Sequence, residues 1–270
     1  MRNDMKPYLM GQKLYGDDFT PEEIQRWHEM EKEGYGDLVR KRPHDYSYEY
    51  QALNRRHGFR HVQIKPESRA LAIGGAFCEE LRPVAKRLAH ITNLDPSTYF
   101  DVDTLDGVPI EHVKPSVSGK MPFTDNSFDL ITCFGVLHHI PNVSFVMGEC
   151  FRTLSPGGIM LLREPIVSMG DWRKPRPGLT ANERGIPENI LVEIAISTGF
   201  EINNRALCDF SPLGRLAAKL GIRIFSFPAG VLADSLLSNI FAFNRRYHRT
   251  SIWHKFAPAS LALVLKKPAS

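Results

Sequence analysis

The stretch "RALAIGGAFCEELRP" (Arg69–Pro83) decides how the first half of the chain folds. Its opening residues read as a short buried strand, and this strand breaks on two adjacent glycines. Glycine lets the backbone turn sharply and approach a ligand closely, because it carries no Cβ. A nucleotide loop of the usual kind has three glycines, and here Ala76 and Cys78 stand at two of those positions. The sequence predicts a strand followed by a reduced ligand loop.

Short apolar runs and helix-like segments alternate from about residue 69 to residue 166. The predicted strands contain Ala70–Ile73, His90–Leu94, Ile110–Val113, Asp129–Phe134 and Ile159–Leu162, and the predicted helices cover Leu81–Ala89 and Val143–Leu154. Such alternation is typical of a parallel sheet with helices on both faces. Sheets of this kind bind ligands at the carboxyl ends of their strands. We therefore expect an α/β fold with a doubly wound, mostly parallel, seven-stranded Rossmann-like sheet.

The segment before this pattern is polar, rich in aromatic residues and helical in character. We predict a helical cap over residues 1–65 and a main domain over residues 66–270. Thr20, Pro21 and Glu23 have the spacing of a capping box with a proline at the first helical position. The aromatic side chains of this segment are expected either to form a lid over a substrate or to pack against the sheet edge; they are Trp27, Tyr35, Tyr46, Tyr48 and Tyr50.

A helical insertion is predicted over residues 211–250, before a final strand in "SLALVLKK". Large apolar residues dominate its middle part, and basic residues flank it. Three interpretations remain open: core packing or a substrate lid, a homodimer interface, and a helix that touches a membrane surface. Pro228, Gly230 and Asp234 interrupt the apolar run, which favours core packing or a lid.

Composition narrows the class of protein. The chain has 270 residues, a net charge of +4 and ordinary apolar and charged fractions, so we expect a globular protein without a nucleic-acid partner. Its four cysteines are far apart, with no metal-ligand spacing, so we predict reduced thiols and no metal site. The first residues lack a signal-peptide pattern, and we expect a cytoplasmic location.

Acidic residues near the glycine loop limit which ligand can bind there. Glu79 and Glu80 occupy the expected first helical turn, where they would repel a phosphate. Asp95 follows the glycines by about 20 residues, a spacing at which a carboxylate commonly binds ribose hydroxyls. A nucleoside without phosphates and with a positive centre satisfies both observations.

Four segments in order resemble one known family: "ALAIGG", "NLDPS", "MPFTDNSFDLITCFGVLHHIPN" and "ECFRTLSPGGIMLLREP". They look like a class I S-adenosylmethionine-dependent methyltransferase of the small-molecule type (methyltransferase type 11). The resemblance spans Arg69 to Pro165, with a weaker extension around Gly199. Its second half is the specific part, with Met121 where the family usually has leucine.

The resemblance implies S-adenosylmethionine as the cofactor. It implies cofactor-binding positions at Gly74, Gly75, Ala76, Asp95, Pro96, Ser116, Val117, Ser118, Phe134 and Gly135. The two glycines would lie beside the methionine part of the cofactor, Asp95 would bind the ribose, and Pro96 would lie beside the adenine. Ala72 replaces the family's usual acid, and Val117 stands where an aspartate would read the adenine. Adenine recognition would then depend on the backbone or on Ser116 and Ser118.

For catalysis the candidates are His138, His139 and Glu164. Either histidine could accept the substrate's proton or orient the acceptor, or the pair could simply cap its strand. Glu164 could bind the substrate, or it could pair with Arg163 or Arg152. Cys78 has no partner base in the sequence, so we do not expect a nucleophile there.

The resemblance implies methyl transfer to a small-molecule or glycan-type acceptor. The missing acid and glycines favour a second hypothesis, a non-catalytic binding or scaffold protein that retains the fold. A dinucleotide-dependent oxidoreductase is a third, and Glu79, Glu80 and the "LSPGG" segment argue against it.

Overall fold

The computed structural model describes residues 4–40, 47–172, 174, 176 and 178–269, with the backbone alone for residues 32–40. The strands are β1 Ser68–Ile73, β2 Leu88–Leu94, β3 Thr104–Leu105, β4 Val108–Val113, β5 Phe128–Phe134, β6 Leu154–Pro165, β7 Glu201–Phe210 and β8 Pro258–Lys266. They form one sheet in the order β3-β4-β2-β1-β5-β6-β8-β7. Five neighbouring strands run parallel to one another, namely β4, β2, β1, β5 and β6. Strand β8 is antiparallel to both β6 and β7. The predicted mostly parallel α/β sheet is confirmed, and the two-residue β3 adds a small antiparallel edge.

The helices are α1 Lys6–Leu9, α2 Pro21–Arg40, α3 Gln51–His57, α4 Val143–Thr153, α5 Glu188–Thr198, α6 Ser211–Lys219 and α7 Pro228–Ile240. The predicted capping box starts α2. The Thr20 amide donates to Glu23 Oε2 at 2.9 Å, and the Glu23 amide donates to Thr20 Oγ1 at 3.4 Å. These two bonds satisfy amides that have no partner within the helix.

The predicted helix over Leu81–Ala89 is wrong. Two short 3₁₀ turns, Glu79–Leu81 and Ala85–Arg87, stand there, and β2 already begins at Leu88. Pro83 explains the break, because proline has no amide to continue a helical ladder and disfavours helix in the residue before it. The connection after β1 is therefore a compact loop.

Apolar residues pack on both faces of the sheet. In β1, Leu71 and Ile73 face the cluster that includes α4 and α5, while Ala70 and Ala72 face the opposite cluster. This alternation follows from the two-residue period of a strand. The two alanines leave room for Leu81, which is fully buried. Burial of one such leucine contributes about 1.5–3 kcal/mol.

All four cysteines are buried and free. Among the residues that the structure describes, no helix has both the length and the apolar character needed to cross a membrane.

Candidate active site

The carboxyl ends of the parallel strands meet along one edge of the sheet. Ile73 pairs with Leu94 on one side and with Cys133 on the other, and Leu94 pairs with Val113. The predicted site residues follow these ends directly: Gly74–Ala76 after β1, Asp95 and Pro96 after β2, Ser116–Ser118 after β4, Phe134 and Gly135 at the end of β5, and Glu164 near the end of β6. The fold thus brings them to a common edge.

The loop after β1 has an alternating left-handed backbone. Gly74, Ala76 and Cys78 have φ angles of +61°, +47° and +55°. A side chain at such a position costs about 1–2 kcal/mol for an L-residue. These are the three positions at which a usual loop has glycine. The backbone therefore keeps the three-glycine shape although two of the glycines are replaced.

Two polar side chains of β2 and its end hold this strained loop. Asn93 accepts a hydrogen bond from the Gly75 amide at 3.2 Å and donates one to the Ala76 carbonyl at 2.8 Å. Asp95 Oδ2 accepts from the Ala76 amide at 3.3 Å. Asn93 is fully buried and was not among the predicted site residues. An amide inside an otherwise apolar strand end was the signal that could have found it.

Asp95 faces the loop and has little contact with solvent. Its other oxygen, Oδ1, accepts from the Ser97 amide at 2.8 Å, and the residue is 5% exposed. Burial raises the pKa of this carboxyl above its usual range, against the effect of the two backbone hydrogen bonds. Each carboxylate oxygen can accept a further hydrogen bond, so the arrangement leaves acceptor capacity for a sugar hydroxyl. Pro96 is exposed next to it.

The Glu80 carboxyl group lies close to Ala72, the position at which the family usually has an acid. A Cβ placed on Gly75 would lie 2.7 Å from the Ala72 methyl and 2.9 Å from Glu80 Oε1. Glu80 is therefore buried under the loop, whereas the sequence suggested a first-turn acid facing the ligand. Burial raises the pKa of Glu80 to about 8, so this side chain is mainly neutral near pH 7. Of the two acids, Glu79 alone keeps some exposure.

The segments after β4 and β5 flank the loops after β2 and β1, one on each side. The hydroxyls of Ser116 and Ser118 are exposed and hydrogen-bonded to each other at 2.9 Å. Val136 covers the glycine loop: its Cγ2 lies 2.7 Å from where a Cβ on Gly74 would stand. By contrast, the nearest atom to a Cβ on Gly135 would be His138 Cε1 at 3.7 Å. Any side chain at residue 74 would therefore clash, whereas residue 135 has more space.

Glu164 anchors the turn that carries the two histidines. Its Oε1 accepts from the amides of Val136 and Leu137 at 2.8 and 2.9 Å, and its Oε2 lies 2.8 Å from His138 Nδ1. The residue is fully buried. Burial opposes its ionisation, but the hydrogen bonds and the His138 charge outweigh this and lower its pKa. Glu164 thus pairs with a histidine.

The two arginines proposed as alternative partners of Glu164 are engaged elsewhere. The Arg163 guanidinium lies over the Tyr50 ring, 4.3 Å from its centroid. Arg152 pairs with Glu149 at 2.7 Å. The pairing alternative is therefore wrong. Arg163 neighbours Glu164 along β6 and so points to the opposite face of the sheet, and Arg152 is held by Glu149 on α4.

His138 and His139 differ in their surroundings. His138 is buried between Glu164 and Glu183, with its Nε2 3.6 Å from Glu183 Oε1. Burial alone would lower the pKa of His138, but the two carboxylates outweigh it and raise this pKa to about 9. His139 has a side chain that is 29% exposed, and its Nδ1 lies 3.0 Å from Glu31 Oε2. Of the two, His139 has the more accessible ring, and among the described residues its hydrogen bond uses Nδ1 and not Nε2.

His138, His139 and Glu183 could in principle hold a metal ion, because their ligand atoms lie within 4.8 Å of one another. Sequence spacing did not suggest this group, since Glu183 is distant along the chain. Here a proton on His138 already balances the neighbouring carboxylates, as the raised pKa indicates.

Arg184 joins the N-terminal segment to this turn and was missed by the sequence reasoning. It is fully buried, and it donates to the carbonyl oxygens of Tyr15, His138 and Ile140, each at 2.9 Å. Its guanidinium lies 5.2 Å from the Trp27 ring centroid. A charged residue in a polar loop gave no sign of this burial in the sequence.

The N-terminal aromatic residues do not act as one group. Trp27 is buried and donates its indole N–H to the His139 carbonyl at 2.7 Å. Tyr50 stacks on Phe225 with 5.5 Å between ring centroids, and Tyr48 lies beside Tyr50. Tyr46 and the side chain of Tyr35 lie outside the described residues. Of the described members, Trp27 is thus in direct contact with the histidine turn.

Comparison with known proteins agrees with this geometry. Residues 71–162 match the family model of the methyltransferase domain. Sterol 24-C-methyltransferase erg-4 of Neurospora crassa is 35% identical over 120 residues, which cover 40% of this chain and 31% of that protein. Ubiquinone biosynthesis O-methyltransferase of Pseudomonas fluorescens (strain Pf0-1) is 31% identical over 90 residues, covering 32% of this chain and 38% of that protein. The chain thus spans about a third of these relatives' own length.

Solved structures show the same fold at lower identity. A protein assigned as an S-adenosylmethionine dependent methyltransferase from Listeria monocytogenes superposes with a TM-score of 0.53 and 12% identity, over 77% of this chain and 95% of that chain. The matched range runs from β1 to β6 and so includes the carboxyl ends of β1, β2, β4 and β5. Residues 71–162 of the chain are therefore similar to the methyltransferase domain, and the whole sheet has the fold of such proteins.

Proposed function

We propose that the protein transfers a methyl group from S-adenosylmethionine to a small-molecule acceptor, with glycan-type acceptors included in that class. One observation carries the proposal. The loop at residues 74–78 keeps three left-handed positions although two of them are not glycine, and Asn93 and Asp95 hold it there. Strain of this kind persists where the surrounding structure determines it, and it concentrates at functional sites.

The residues at the edge fit the cofactor that the family implies. The loop has no side chain larger than a methyl group at residues 74–76, so its own side chains put little bulk between the backbone and a ligand. Asp95 keeps acceptor capacity for ribose hydroxyls, and Ser116 and Ser118 offer exposed hydroxyls beside it. These residues, with Phe134 and Gly135, would hold S-adenosylmethionine, which supplies an activated methyl group.

The protein's own contribution to such a reaction is mainly alignment. Orientation of two reactants can lower a barrier by about 7–11 kcal/mol. We assign the proton-accepting or acceptor-orienting role to His139, whose ring is partly exposed and whose Nδ1 is held by Glu31. His138 and Glu164 would instead position that turn, because both are buried and paired.

The second candidate function is a binding or scaffold protein that does not use the cofactor. Two observations favour it: Val136 packs over Gly74, and both oxygens of Asp95 already accept backbone hydrogen bonds. Calorimetry with S-adenosylmethionine and with its demethylated product, on the purified chain, separates the two functions. Binding of either compound supports the first candidate, and no heat at high micromolar concentration supports the second.

A pair of aspartate variants makes this test specific. Asp95→Ala should weaken cofactor binding by about 1–3 kcal/mol, the scale of a lost hydrogen bond to a charged group. Asp129→Ala is the matched control, because its carboxylate accepts from the Arg69 amide at the start of β1, at the other end of the strand. Equal cofactor affinities in the two variants would show that Asp95 does not bind the cofactor.

A further inference from the structure

Helix α7 has the reverse of the usual distribution of polar and apolar residues. Its buried side is mainly small or polar: Asp234 and Ser238 are fully buried and Ser235 is 5% exposed, beside one buried apolar side chain, Val231. Its outer side is apolar: Leu232, Leu236 and Ile240 are 53–60% exposed. A surface helix normally buries its apolar stripe. Val231 packs in a core cluster with Leu53 and Cys208, whereas the acid that interrupts the apolar run points inward and the outer apolar side chains stay exposed.

The inward polar side is fixed by specific hydrogen bonds. Asp234 accepts from the amides of Asp209 and Phe210 at 3.0 and 2.7 Å, and so joins α7 to the end of β7. Ser235 Oγ lies 3.1 Å from Arg56 Nε in α3. The orientation of α7 is therefore set by polar partners, and its apolar side is left facing outward.

Aromatic residues extend this apolar surface beyond the helix. Phe241 contacts both Phe243 and Phe256, and Phe256 stacks on Trp253 with 5.7 Å between ring centroids. Phe243 is 75% exposed and Trp253 is 55% exposed. We call the group formed by Leu232, Leu236, Ile240, Phe243, Ile252, Trp253 and Phe256 the apolar face. Contiguous apolar surfaces of this kind mark interaction sites.

The segment that carries the apolar face is mainly basic, although acids from outside it pair with two of its arginines: Glu49 lies 3.1 Å from Arg223 and Glu188 lies 2.8 Å from Arg245. Over residues 211–256 the basic side chains are Arg215, Lys219, Arg223, Arg245, Arg246, Arg249 and Lys255, and the sole acid is Asp234, which is buried. Two copies of the chain meeting symmetrically at this face would bring like charges together. A surface of anionic headgroups over an apolar interior complements both the charge and the apolar side chains.

We propose that the apolar face docks on the surface of an anionic lipid bilayer. Leu232, Leu236 and Ile240 enter the boundary between headgroups and acyl chains, and Trp253 lies at headgroup depth, where an indole ring is favoured. Exposed basic residues such as Lys219 and Arg246 contact the headgroups. This inference rests on α7 and its neighbours and is independent of the proposed methyl transfer.

Co-sedimentation of the full chain with lipid vesicles tests the proposal. We expect binding to vesicles of phosphatidylcholine mixed with phosphatidylglycerol, weaker binding to phosphatidylcholine alone, and a loss of binding as salt is raised. The double variant Leu236→Glu/Phe243→Glu should bind at least about tenfold more weakly. Ile196→Glu is the matched control, because Ile196 is 58% exposed on α5 and lies outside the apolar face.

Two further results decide between occupants. The variant Lys219→Glu/Arg246→Glu should lose its preference for phosphatidylglycerol while its melting temperature stays unchanged, since both side chains are exposed. Sedimentation in solution reports self-association. A dimer that Leu236→Glu/Phe243→Glu dissociates, together with no vesicle binding by the unmodified chain, would overturn the proposal in favour of a homodimer.

Discussion

The side-chain amide of Asn93 donates a 2.8 Å hydrogen bond to the carbonyl oxygen of Ala76, a residue in the left-handed region. The same side chain accepts from the Gly75 amide. One buried asparagine thus provides the hydrogen-bond partner for both the Gly75 amide and the Ala76 carbonyl, in the strained part of the loop. The ligand loop is held from the neighbouring strand, and its own residues contribute little side-chain bonding.

Asn93→Ala should lower the free energy of unfolding by about 2–3 kcal/mol, because it leaves two buried backbone groups without partners. Chemical denaturation measures this change, and cofactor affinity should fall with it. Asn189→Ala, at an exposed position near the start of α5, should change stability by less than about 0.5 kcal/mol. Equal stability of the two variants would contradict the role of Asn93.

Ala76→Gly should leave the protein equally stable or stabilise it by up to about 1 kcal/mol. Glycine removes the left-handed strain, which stabilises the folded state by about 1–2 kcal/mol. It also raises the entropy of the unfolded chain, which offsets about 0.4–1 kcal/mol of that gain. Ala70→Gly is the control, because Ala70 lies in β1 without a positive φ, and there glycine should destabilise. Thermal or denaturant melts compare the two, and an equal loss in both would mean that the loop is not strained.

Glu80 should make stability depend on pH. Its pKa is about 8 in the folded chain against a usual value of 4.5, so the folded state holds the proton more tightly. Stability should therefore fall as pH rises from 4.5 to 8, by at most about 1.4 kcal/mol per pH unit from this residue. Denaturation curves of Glu80→Gln should lack this component and show a relative gain at pH 8. Parallel curves for the two proteins would contradict the burial of a carboxyl under the loop.

Arg184→Lys should destabilise the chain by at least about 3 kcal/mol. Lysine keeps the charge but cannot reach several carbonyl oxygens at once, so buried acceptors lose their charged donor. Hydrogen exchange should become faster in α1 and in the first turns of α2, because the Tyr15 contact holds that segment to the histidine turn. Arg55→Lys, at an exposed position of α3, is the control and should alter neither measurement.

The sheet and the place of the site could be predicted because both depend on local patterns. Strand runs alternate with turns, and the ligand edge follows from parallel strands. Pro83 indicated that no helix follows β1. The prediction gave more weight to the apolar pattern around this proline. The burial of Glu80 and Arg184 could not be predicted, and the partners of Asn93 could not be assigned, because these partners are distant in sequence and burial of a charged or amide side chain depends on them.

The orientation of α7 could not be predicted from the sequence for a related reason. A run of apolar residues interrupted by one acid indicates a helix but not which side faces inward. Asp234 decides this by binding two backbone amides at the end of β7.

The left-handed backbone at Ala76 and Cys78 changes how distant members of this family can be found. A search that demands glycine at both positions would discard this chain, although its loop has the required shape. In this chain that shape is held by an asparagine and an aspartate two residues apart, at the end of the following strand. A loop poor in glycine can therefore keep this backbone when a neighbouring strand supplies its hydrogen-bond partners.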